Sequence, residues 1–187
     1  PEVRFLFPDA EAYQAVSDKQ NLLRAGAELG IPVPGQVALT SRQSTDPELE
    51  RAVSSLRFPQ IIKPAHSAVA GTGSIAKFGV SLARDAQELR ALVRRYPEEA
   101  YPLLLQDQIV GPGLGAFSLF WDGEPYAWFA HRRIREKPPT GGVSVYRESV
   151  PLRDDLREYA ARLLRHFKWR GVAMVEFKED AATGTPY

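Results

Sequence analysis

An Asp-Gly pair between two aromatic-rich runs is the feature that most restricts the fold of this chain. In the segment GAFSLFWDGEPYAWFAHRRI, Asp122 and Gly123 separate two stretches rich in Phe, Trp and Tyr. Asp-Gly readily adopts the left-handed conformations that a tight two-residue β-turn requires, and aromatic residues favour strands. The segment therefore predicts an antiparallel hairpin in the second half of the chain.

Helix and strand signals alternate ahead of that hairpin. A helix is predicted with Ser17 as its N-cap and Gly30 as its stop. TDPELERAVSSL predicts a second helix capped by Thr45 or Asp46, and RDAQELRALVRRY predicts a third. The segments FPQIIKPAH, IAKFGVSL and LLLQDQIV are predicted strands, because each is a short apolar run between turn signals.

The order of elements predicts the fold class. After the hairpin, SVYRESV and GVAMVEFKED predict strands, a helix is predicted from Pro151 to about His166, and DAATGTPY is predicted to turn back towards a partner strand. Helices alternate with strands early, and antiparallel strands dominate late. This order favours an α+β fold with two lobes over a doubly wound parallel sheet. The seam between the lobes is expected between Gln108 and Gly113.

The composition excludes several classes of site. The 187 residues are 44% hydrophobic and 25% charged, which is ordinary for a soluble globular protein. The absence of cysteine excludes disulfides, cysteine nucleophiles and thiolate zinc sites, and it is compatible with the cytoplasm. No apolar run approaches the length of a membrane span. A net charge of +1 argues against a nucleic-acid or membrane partner.

Two lysines are candidates for phosphate binding. Lys63 ends an apolar strand and precedes the small-residue loop SAVAGTGS, whose glycines allow close approach of the backbone to a phosphate. Lys19 lies in the first turn of a predicted helix, where a cation opposes the helix dipole and therefore suggests a ligand. Each lysine can equally be an exposed residue. The arrangement is not a P-loop, in which the lysine follows the glycines.

Glu176 is a candidate metal ligand. Strand alternation places Val172, Met174 and Glu176 on one face, and a carboxylate among core residues needs a partner. Mg²⁺ is one candidate partner, because hard cations prefer carboxylate oxygens. A buried ion pair with an arginine, or a strand end that frays into solvent, explains the same pattern.

The stretch HRRIREK at 131–137 is strongly basic and leads into a pair of glycines. Its cations suit a polyphosphate or an acyl phosphate. The same residues could form the solvated outer face of a strand. A nucleic-acid patch is a third interpretation, against which the near-zero total charge and the shortness of the cluster argue.

Taken together and in this order, the segments resemble the ATP-grasp superfamily, in the carboxylate–amine ligase branch that is similar to carbamoyl-phosphate synthetase. The resemblance runs from about Ser17 to the end. It rests on SDKQNLLRAGAELGIPVP, FPQIIKP, the small-residue loop, LLLQDQIVGPG, HRRIREKPPTGG and GVAMVEFK. It implies a nucleotide bound between two α+β lobes, with residues 1–108 as the N-terminal lobe and its preceding linker, and 109–187 as the C-terminal lobe.

The resemblance also implies roles for the candidate residues, with ATP and Mg²⁺ as cofactors. Lys19 and Lys63 would bind the ATP phosphates, and Glu176 would bind Mg²⁺. The implied residues near the γ-phosphate are Arg132, Arg133 and Arg135. The other implied nucleotide-binding residues, in loops and in the linker whose backbone would bind adenine, are Gly71, Thr72, Gly73, Ser74, Gln106, Asp107, Gln108, Ile109, Val110, Gly141 and Gly142.

The sequence departs from the family pattern in two places. The family has an acidic ribose-binding residue shortly after the linker, whereas the segment GPGLGAF contains none. The family also has an E-x-N metal motif on the strand after that of Glu176, and the sequence given stops at Tyr187, where this strand would begin. The C-terminal lobe is therefore expected to be incomplete, and the chain to bind nucleotide weakly without ligase activity.

The predicted function of the parent protein is an ATP-dependent ligase. It would join a small carboxylate to an amine, a thiol or another nucleophile through an acyl phosphate, which requires charge neutralisation and positioning and no protein nucleophile. Two alternatives remain at this point. One is a non-catalytic nucleotide-sensing domain with the same fold, and the other is a basic nucleic-acid or protein interaction module.

Overall fold

The computed structural model describes residues 6–42, 45–70, 75–137 and 142–187. The chain divides into two compact units. The 34–108 unit comprises the described parts of Ser17–Leu23 and Pro34–Gln108, and the 109–187 unit comprises those of Pro1–Val16, Arg24–Val33 and Ile109–Tyr187. Each unit contains an antiparallel four-stranded sheet. Helices and antiparallel strands are thus combined, and the predicted α+β class is confirmed.

The described residues form five α-helices and ten strands. The helices are α1 (Ala10–Ser17), α2 (Lys19–Glu28), α3 (Thr45–Val53), α4 (Ala86–Val93) and α5 (Asp154–His166). The strands are β1 (Gln36–Leu39), β2 (Gln60–Pro64), β3 (Ala68–Ala70), β4 (Ile75–Lys77), β5 (Ser81–Ala83), β6 (Leu103–Asp107), β7 (Gly113–Trp121), β8 (Glu124–Lys137), β9 (Val143–Ser149) and β10 (Gly171–Lys178). No helix among the described residues is both long and apolar enough to cross a bilayer.

The sheet of the 34–108 unit has the order β1-β6-β2-β5. Its second strand, β6, is paired on both edges, and the leucines of LLLQD are fully buried. Leu89 and Val93 are one helical turn apart on α4 and pack into the same core as Leu105. The side chain of Asp85 caps α4 by accepting a hydrogen bond from the Glu88 N–H. A separate two-stranded sheet joins β3 to β4.

Two predictions in this unit were wrong in detail. The segment IAKFGVSL is two strands, because β4 pairs with β3 whereas β5 pairs with β2. Ser17 was predicted to cap α2, but Ser17 ends α1, a helix that the sequence reading missed. Asp18 is the cap, since its Oδ1 accepts hydrogen bonds from the Gln20 and Asn21 N–H groups. The cap of α3 lies next to residues outside the described part of the chain.

The sheet of the 109–187 unit has the order β10-β7-β8-β9 and contains the predicted hairpin. Trp121 pairs with Glu124 across the turn, where Asp122 and Gly123 have φ angles of 49° and 82°. Both turn residues are left-handed, as a tight hairpin requires. The hairpin prediction is therefore confirmed.

Helix α5 covers one face of this sheet. Its buried residues Leu156 and Ala160 pack against Leu114, Ala116 and Phe177. The helix begins at Asp154 and not at the predicted Pro151, because Arg153 still has an extended backbone. The opposite face of the sheet is left open by α5, and it carries most of the charged residues considered below.

The last residues turn back beside β10, as predicted. The backbone of Tyr187 exchanges two hydrogen bonds with Lys178, at 2.8 and 2.9 Å. The turn that brings it there contains Gly184, which has a φ of 72°. This segment therefore lies on the edge of β10 that β7 leaves unpaired.

Candidate functional site

Lys63 projects from β2 on the face away from the core of the 34–108 unit. Its neighbours Ile62 and Pro64 are fully buried, whereas Lys63 alternates to the other face and is half-buried. The backbone carbonyls that follow β2 anchor the side chain of Lys19. The Lys19 Nζ donates to the Ala65 carbonyl at 3.1 Å and to the Ser67 Oγ at 2.8 Å. The start of α2 is thus fixed to the end of β2.

The electrostatics of the two lysines favour an anion. Burial, together with the positive charge of Lys19, lowers the pKa of Lys63 to about 8. Burial also lowers the pKa of Lys19, although the nearby Asp18 opposes this effect. Within the described residues, no carboxylate lies at ion-pair distance from either ammonium group. The fold therefore keeps two partly desolvated cations close together, and neither is in an ion pair within the part of the chain that the structure describes.

The predicted adenine-binding linker begins in β6. Gln106 is buried and its Nε2 lies 3.4 Å from the Gln36 Oε1, while the Asp107 Oδ1 accepts a hydrogen bond from the Gln60 Nε2 at 2.7 Å. A β-carbon at Gly35 would lie 2.4 Å from the Asp107 Oδ2, so a side chain at this position would require the Asp107 carboxylate to move. Sequence reading missed both Gln60 and Gly35, because their importance depends on pairing across the sheet.

The backbone beyond Asp107 is less constrained. The Asp107 N–H donates to the Gly35 carbonyl, and the Val110 carbonyl accepts from the Ala181 N–H. Among the described residues, Gln108 and Ile109 have no backbone hydrogen-bonding partner. Adenine recognition by the linker backbone requires such available groups, and it stays a prediction.

In the 109–187 unit, Glu176 lies on the sheet face opposite α5. Val172 and Met174 share that face, as alternation predicted. The expectation that they are core residues was wrong, since Val172 is 64% and Met174 39% exposed. Strand alternation identifies residues that share a face, but the core face is decided by the side on which α5 packs.

The Glu176 carboxylate forms an ion pair with Arg133 of β8. Arg133 also lies 3.4 Å from a carboxylate oxygen of Glu136, whose other oxygen lies 3.6 Å from the Lys178 Nζ. The side chains of Arg133 and Glu136 are only 18% and 10% exposed, whereas that of Glu176 is 50% exposed. The four residues form a charge-balanced cluster, the Glu176 cluster, to which Glu136 and Lys178 were not assigned from sequence.

Two glycines of β7 make room for side chains of β8, one of them in this cluster. Gly115 pairs with Glu176 on one side and with His131 on the other. A β-carbon at Gly115 would lie 2.7 Å from the His131 Nε2, and one at Gly113 would lie 2.7 Å from the Arg133 Cδ. We call these residues the glycine pair (Gly113 and Gly115). It lets two side chains of β8 lie across β7.

His131 fills the space over Gly115 and is 2% exposed. Its ring meets Phe117 edge-on at 5.0 Å, and no described residue forms a hydrogen bond with its Nε2. Burial lowers the pKa of His131, and the charges of Arg147 and Arg133 lower it further. The imidazole is therefore a neutral side chain at neutral pH, and we assign it no ligand.

The three arginines of the basic stretch differ in their surroundings. Arg132 and Arg135 are exposed, and neither contacts Glu176. A bulge in β8 between Arg133 and Arg135 brings Glu136 to the face of Arg133. Gly142, just before β9, is exposed. The predicted residues Gly71, Thr72, Gly73, Ser74 and Gly141 lie outside the described residues.

No family model and no curated protein matches this chain. Solved structures do match. The VanG D-Ala:D-Ser ligase of Enterococcus faecalis is 18% identical, with a TM-score of 0.73 over 97% of this chain and 53% of its own. The D-alanyl-alanine synthetase A of Vibrio cholerae is 17% identical, with a TM-score of 0.72 over 97% of this chain and 56% of its own.

A third match is the biotin carboxylase domain of the Hydrogenobacter thermophilus 2-oxoglutarate carboxylase, in complex with MgADP. It is 17% identical, with a TM-score of 0.72 over 99% of this chain and 41% of its own. These proteins are all ATP-grasp enzymes. This chain has the ATP-grasp fold. It spans about half the length of the solved structures that it matches.

The family resemblance seen in the sequence predicts a magnesium ion at Glu176. The surroundings of this carboxylate suit an ion that is bound together with a nucleotide. The described residues contain no group of three or more acidic or histidine side chains that could hold a metal ion. Mg²⁺, however, is commonly bound by one or two carboxylates together with substrate phosphates and waters. A half-exposed carboxylate on an open sheet face suits that role better than it suits an autonomous metal site.

Proposed function

We propose that this chain is the nucleotide-binding part of an ATP-dependent ligase. The enzyme would join a carboxylate to an amine, or to another nucleophile such as a thiol, through an acyl phosphate. One observation carries the proposal: Lys19 and Lys63 are close and partly desolvated, and neither forms an ion pair with a carboxylate among the described residues. Two such cations suit a polyphosphate, because an anion offsets their desolvation and mutual repulsion.

The similar structures support the chemical class. Among them are the D-Ala:D-Ser ligase named above, a D-alanine–D-alanine ligase of Bacillus anthracis in complex with ATP, and the biotin carboxylase domain with MgADP and bicarbonate. The first two names describe ligases and the third a carboxylase, and the second and third structures contain ATP or MgADP. The branch similar to carbamoyl-phosphate synthetase, the cytoplasmic location and the particular substrates stay predictions.

In the proposed reaction, an oxygen of the substrate carboxylate attacks the γ-phosphorus of ATP. The bond from that phosphorus to the bridging oxygen breaks, and ADP leaves with the electron pair. The nitrogen of the amine then attacks the acyl carbon of the acyl phosphate, phosphate leaves, and the nitrogen loses a proton. Because the protein forms no covalent bond, its contribution is positioning and charge neutralisation.

We assign roles within this reaction to individual side chains. Lys19 and Lys63 bind phosphate oxygens, and Lys19 keeps its place through its bonds to the backbone after β2. Glu176 binds Mg²⁺, which when bound neutralises phosphate oxygens. Of the three arginines, Arg133 is the one beside Glu176, and we therefore assign it to the transferred phosphate.

Lys63→Ala tests the proposal. We expect the dissociation constant for ATP with magnesium, measured by isothermal titration calorimetry, to rise at least about tenfold, because a charge-assisted hydrogen bond contributes about 1.5–3 kcal/mol. The thermal unfolding midpoint should not fall, since the substitution removes a partly buried charge. The matched control is Arg95→Ala, which removes one exposed positive charge from the same unit.

Equal loss of affinity in the two variants would show a general charge effect and count against a phosphate site at Lys63. Loss of the cooperative thermal transition in Lys63→Ala would assign the lysine a structural role. Absence of ATP binding by the unmodified chain, at concentrations where it is folded, would contradict the proposed function.

A further inference from the structure

The carboxylate assigned to magnesium already has a cation beside it. We propose that Arg133 is a positioning residue, which holds Glu176 in the absence of Mg²⁺ and is exchanged for the metal when the metal binds. This inference rests on the proposed function of Glu176 and adds a residue that determines when the carboxylate is available. It also divides the basic stretch, because Arg132 and Arg135 take no part.

The contact is specific to Arg133 because of the sheet order. Strand β7 lies between β8 and β10, so a residue on β8 must reach across a whole strand to touch Glu176. Neighbouring strands are about 4.8 Å apart, so the distance to span is about 10 Å. An arginine is long enough, provided that β7 presents no side chain on the way. Gly113 satisfies this condition, since a β-carbon there would collide with the Arg133 Cδ.

The exposed fractions of the side chains indicate which of the two carboxylates beside Arg133 moves less. Arg133 is 18% exposed and Glu136 10% exposed, so the contact between these two residues is the more enclosed one. Glu176 is 50% exposed, and its carboxylate can therefore receive a metal ion from the open side of the sheet. We infer that Glu136 retains the guanidinium while Glu176 is released to the metal.

Charge makes the two states mutually exclusive. Arg133 and Lys178 balance Glu136 and Glu176 in the Glu176 cluster. Adding a divalent cation while Arg133 stays on Glu176 would place like charges a few ångströms apart, which is unfavourable even in a partly solvated site. Once Glu176 binds the metal, the N–H groups of Arg133 that faced it become available to a phosphate oxygen.

The experiment measures binding of Mn²⁺, as a paramagnetic substitute for Mg²⁺, to the complex of the protein with ADP by electron paramagnetic resonance, because a single carboxylate binds this ion together with phosphate oxygens. We expect Arg133→Met to bind Mn²⁺ at least about fivefold more tightly than the unmodified chain, because removing a nearby positive charge favours a dication. Arg135→Met removes an equal charge from the same strand and should leave the affinity unchanged. The gain should disappear in Arg133→Met combined with Glu176→Gln.

Gly113→Ala provides a second route to the same state. The added methyl group displaces the stem of Arg133 while every charge is retained, so Mn²⁺ affinity should again rise. This variant covers the possibility that Arg133→Met fails to fold. Unchanged or weaker Mn²⁺ binding in the folded Arg133 and Gly113 variants would overturn the proposal, as would a gain that survives Glu176→Gln.

The outcomes separate this inference from the proposed function. If ATP with magnesium binds in a manner that depends on Lys63 and Glu176, but Arg133→Met does not change Mn²⁺ affinity, only the exchange is wrong. If neither lysine nor Glu176 affects ATP binding, the proposed function itself is wrong.

Discussion

At the scale of single residues, Lys63 and Arg133 show two ways in which this fold handles a buried or half-buried cation. Lys63 has no acidic partner among the described residues, and its desolvation is expressed as a lowered pKa. Arg133 is instead held by two carboxylates, those of Glu136 and Glu176. A lysine suits a position whose counter-ion is a ligand that comes and goes. An arginine suits a position where a carboxylate of the protein is always beside it.

The lowered pKa of Lys63 predicts that ATP binding depends on pH. Lys63 has a pKa of about 8, so its ammonium form is lost as the pH rises through that value. Because a bound phosphate favours the charged form, binding should be accompanied by proton uptake near pH 8. We expect the affinity to fall about tenfold between about pH 7 and about pH 9, since the protonated fraction falls by that factor.

Calorimetry in buffers of different ionisation enthalpy measures both the ATP affinity and the number of protons taken up on binding. Lys63→Arg retains its charge over this range and should flatten the profile if it still binds ATP. An unmodified chain whose affinity is constant from about pH 7 to about pH 9 would contradict the assignment of Lys63 to phosphate.

At the scale of elements, local sequence signals predicted local structure, and they did not predict contacts between distant segments. The Asp122-Gly123 turn and the Asp85 cap of α4 act through their immediate neighbours, and both helix α4 and the hairpin follow from sequence. The division of IAKFGVSL into two strands depends on two distant partners. The ion pair of Arg133 with Glu176 joins residues of two strands that are not neighbours in the sheet. No periodicity in the sequence predicts this contact.

The hairpin turn gives a prediction at this scale. Gly123→Ala should lower the free energy of unfolding by about 1–2 kcal/mol, because a β-carbon is strained at a φ of 82°. Gly79→Ala is the control: a β-carbon at either position meets no atom within 4 Å, but the φ of Gly79 is not left-handed. Urea unfolding followed by circular dichroism measures the difference. Equal effects of the two substitutions would refute the argument from the turn conformation.

At the scale of the whole molecule, we predict that the charges do not form a nucleic-acid surface. The chain has 24 Lys and Arg residues against 23 Asp and Glu residues. Several arginines of the 109–187 unit are also paired, such as Arg133 with Glu176 and Arg153 with Asp155 and Glu179. The basic stretch identified from sequence is therefore partly neutralised by Glu176, which is distant along the chain.

We accordingly expect no measurable binding of a labelled oligonucleotide of about 20 residues at about 0.15 M salt, because affinity for nucleic acid depends on the number of phosphates that free cations neutralise. Fluorescence anisotropy measures it. Binding that weakens steeply with salt, and that Arg132→Ala and Arg135→Ala abolish, would instead support a nucleic-acid module. Titration of the same protein sample with ATP shows whether it binds nucleotide under conditions where it does not bind the oligonucleotide.

The glycine pair has a consequence for how this chain tolerates substitution. Gly113 and Gly115 carry no charge and no functional group, yet a β-carbon at Gly113 would collide with the stem of Arg133, and one at Gly115 would collide with the ring of His131. Saturation mutagenesis scored by metal or nucleotide affinity should therefore reveal sensitivity at positions where chemistry alone would suggest indifference. Even a serine at Gly113 would obstruct the path of the Arg133 side chain across β7. The constraint on this position is therefore that no side-chain atom may occupy the space above it.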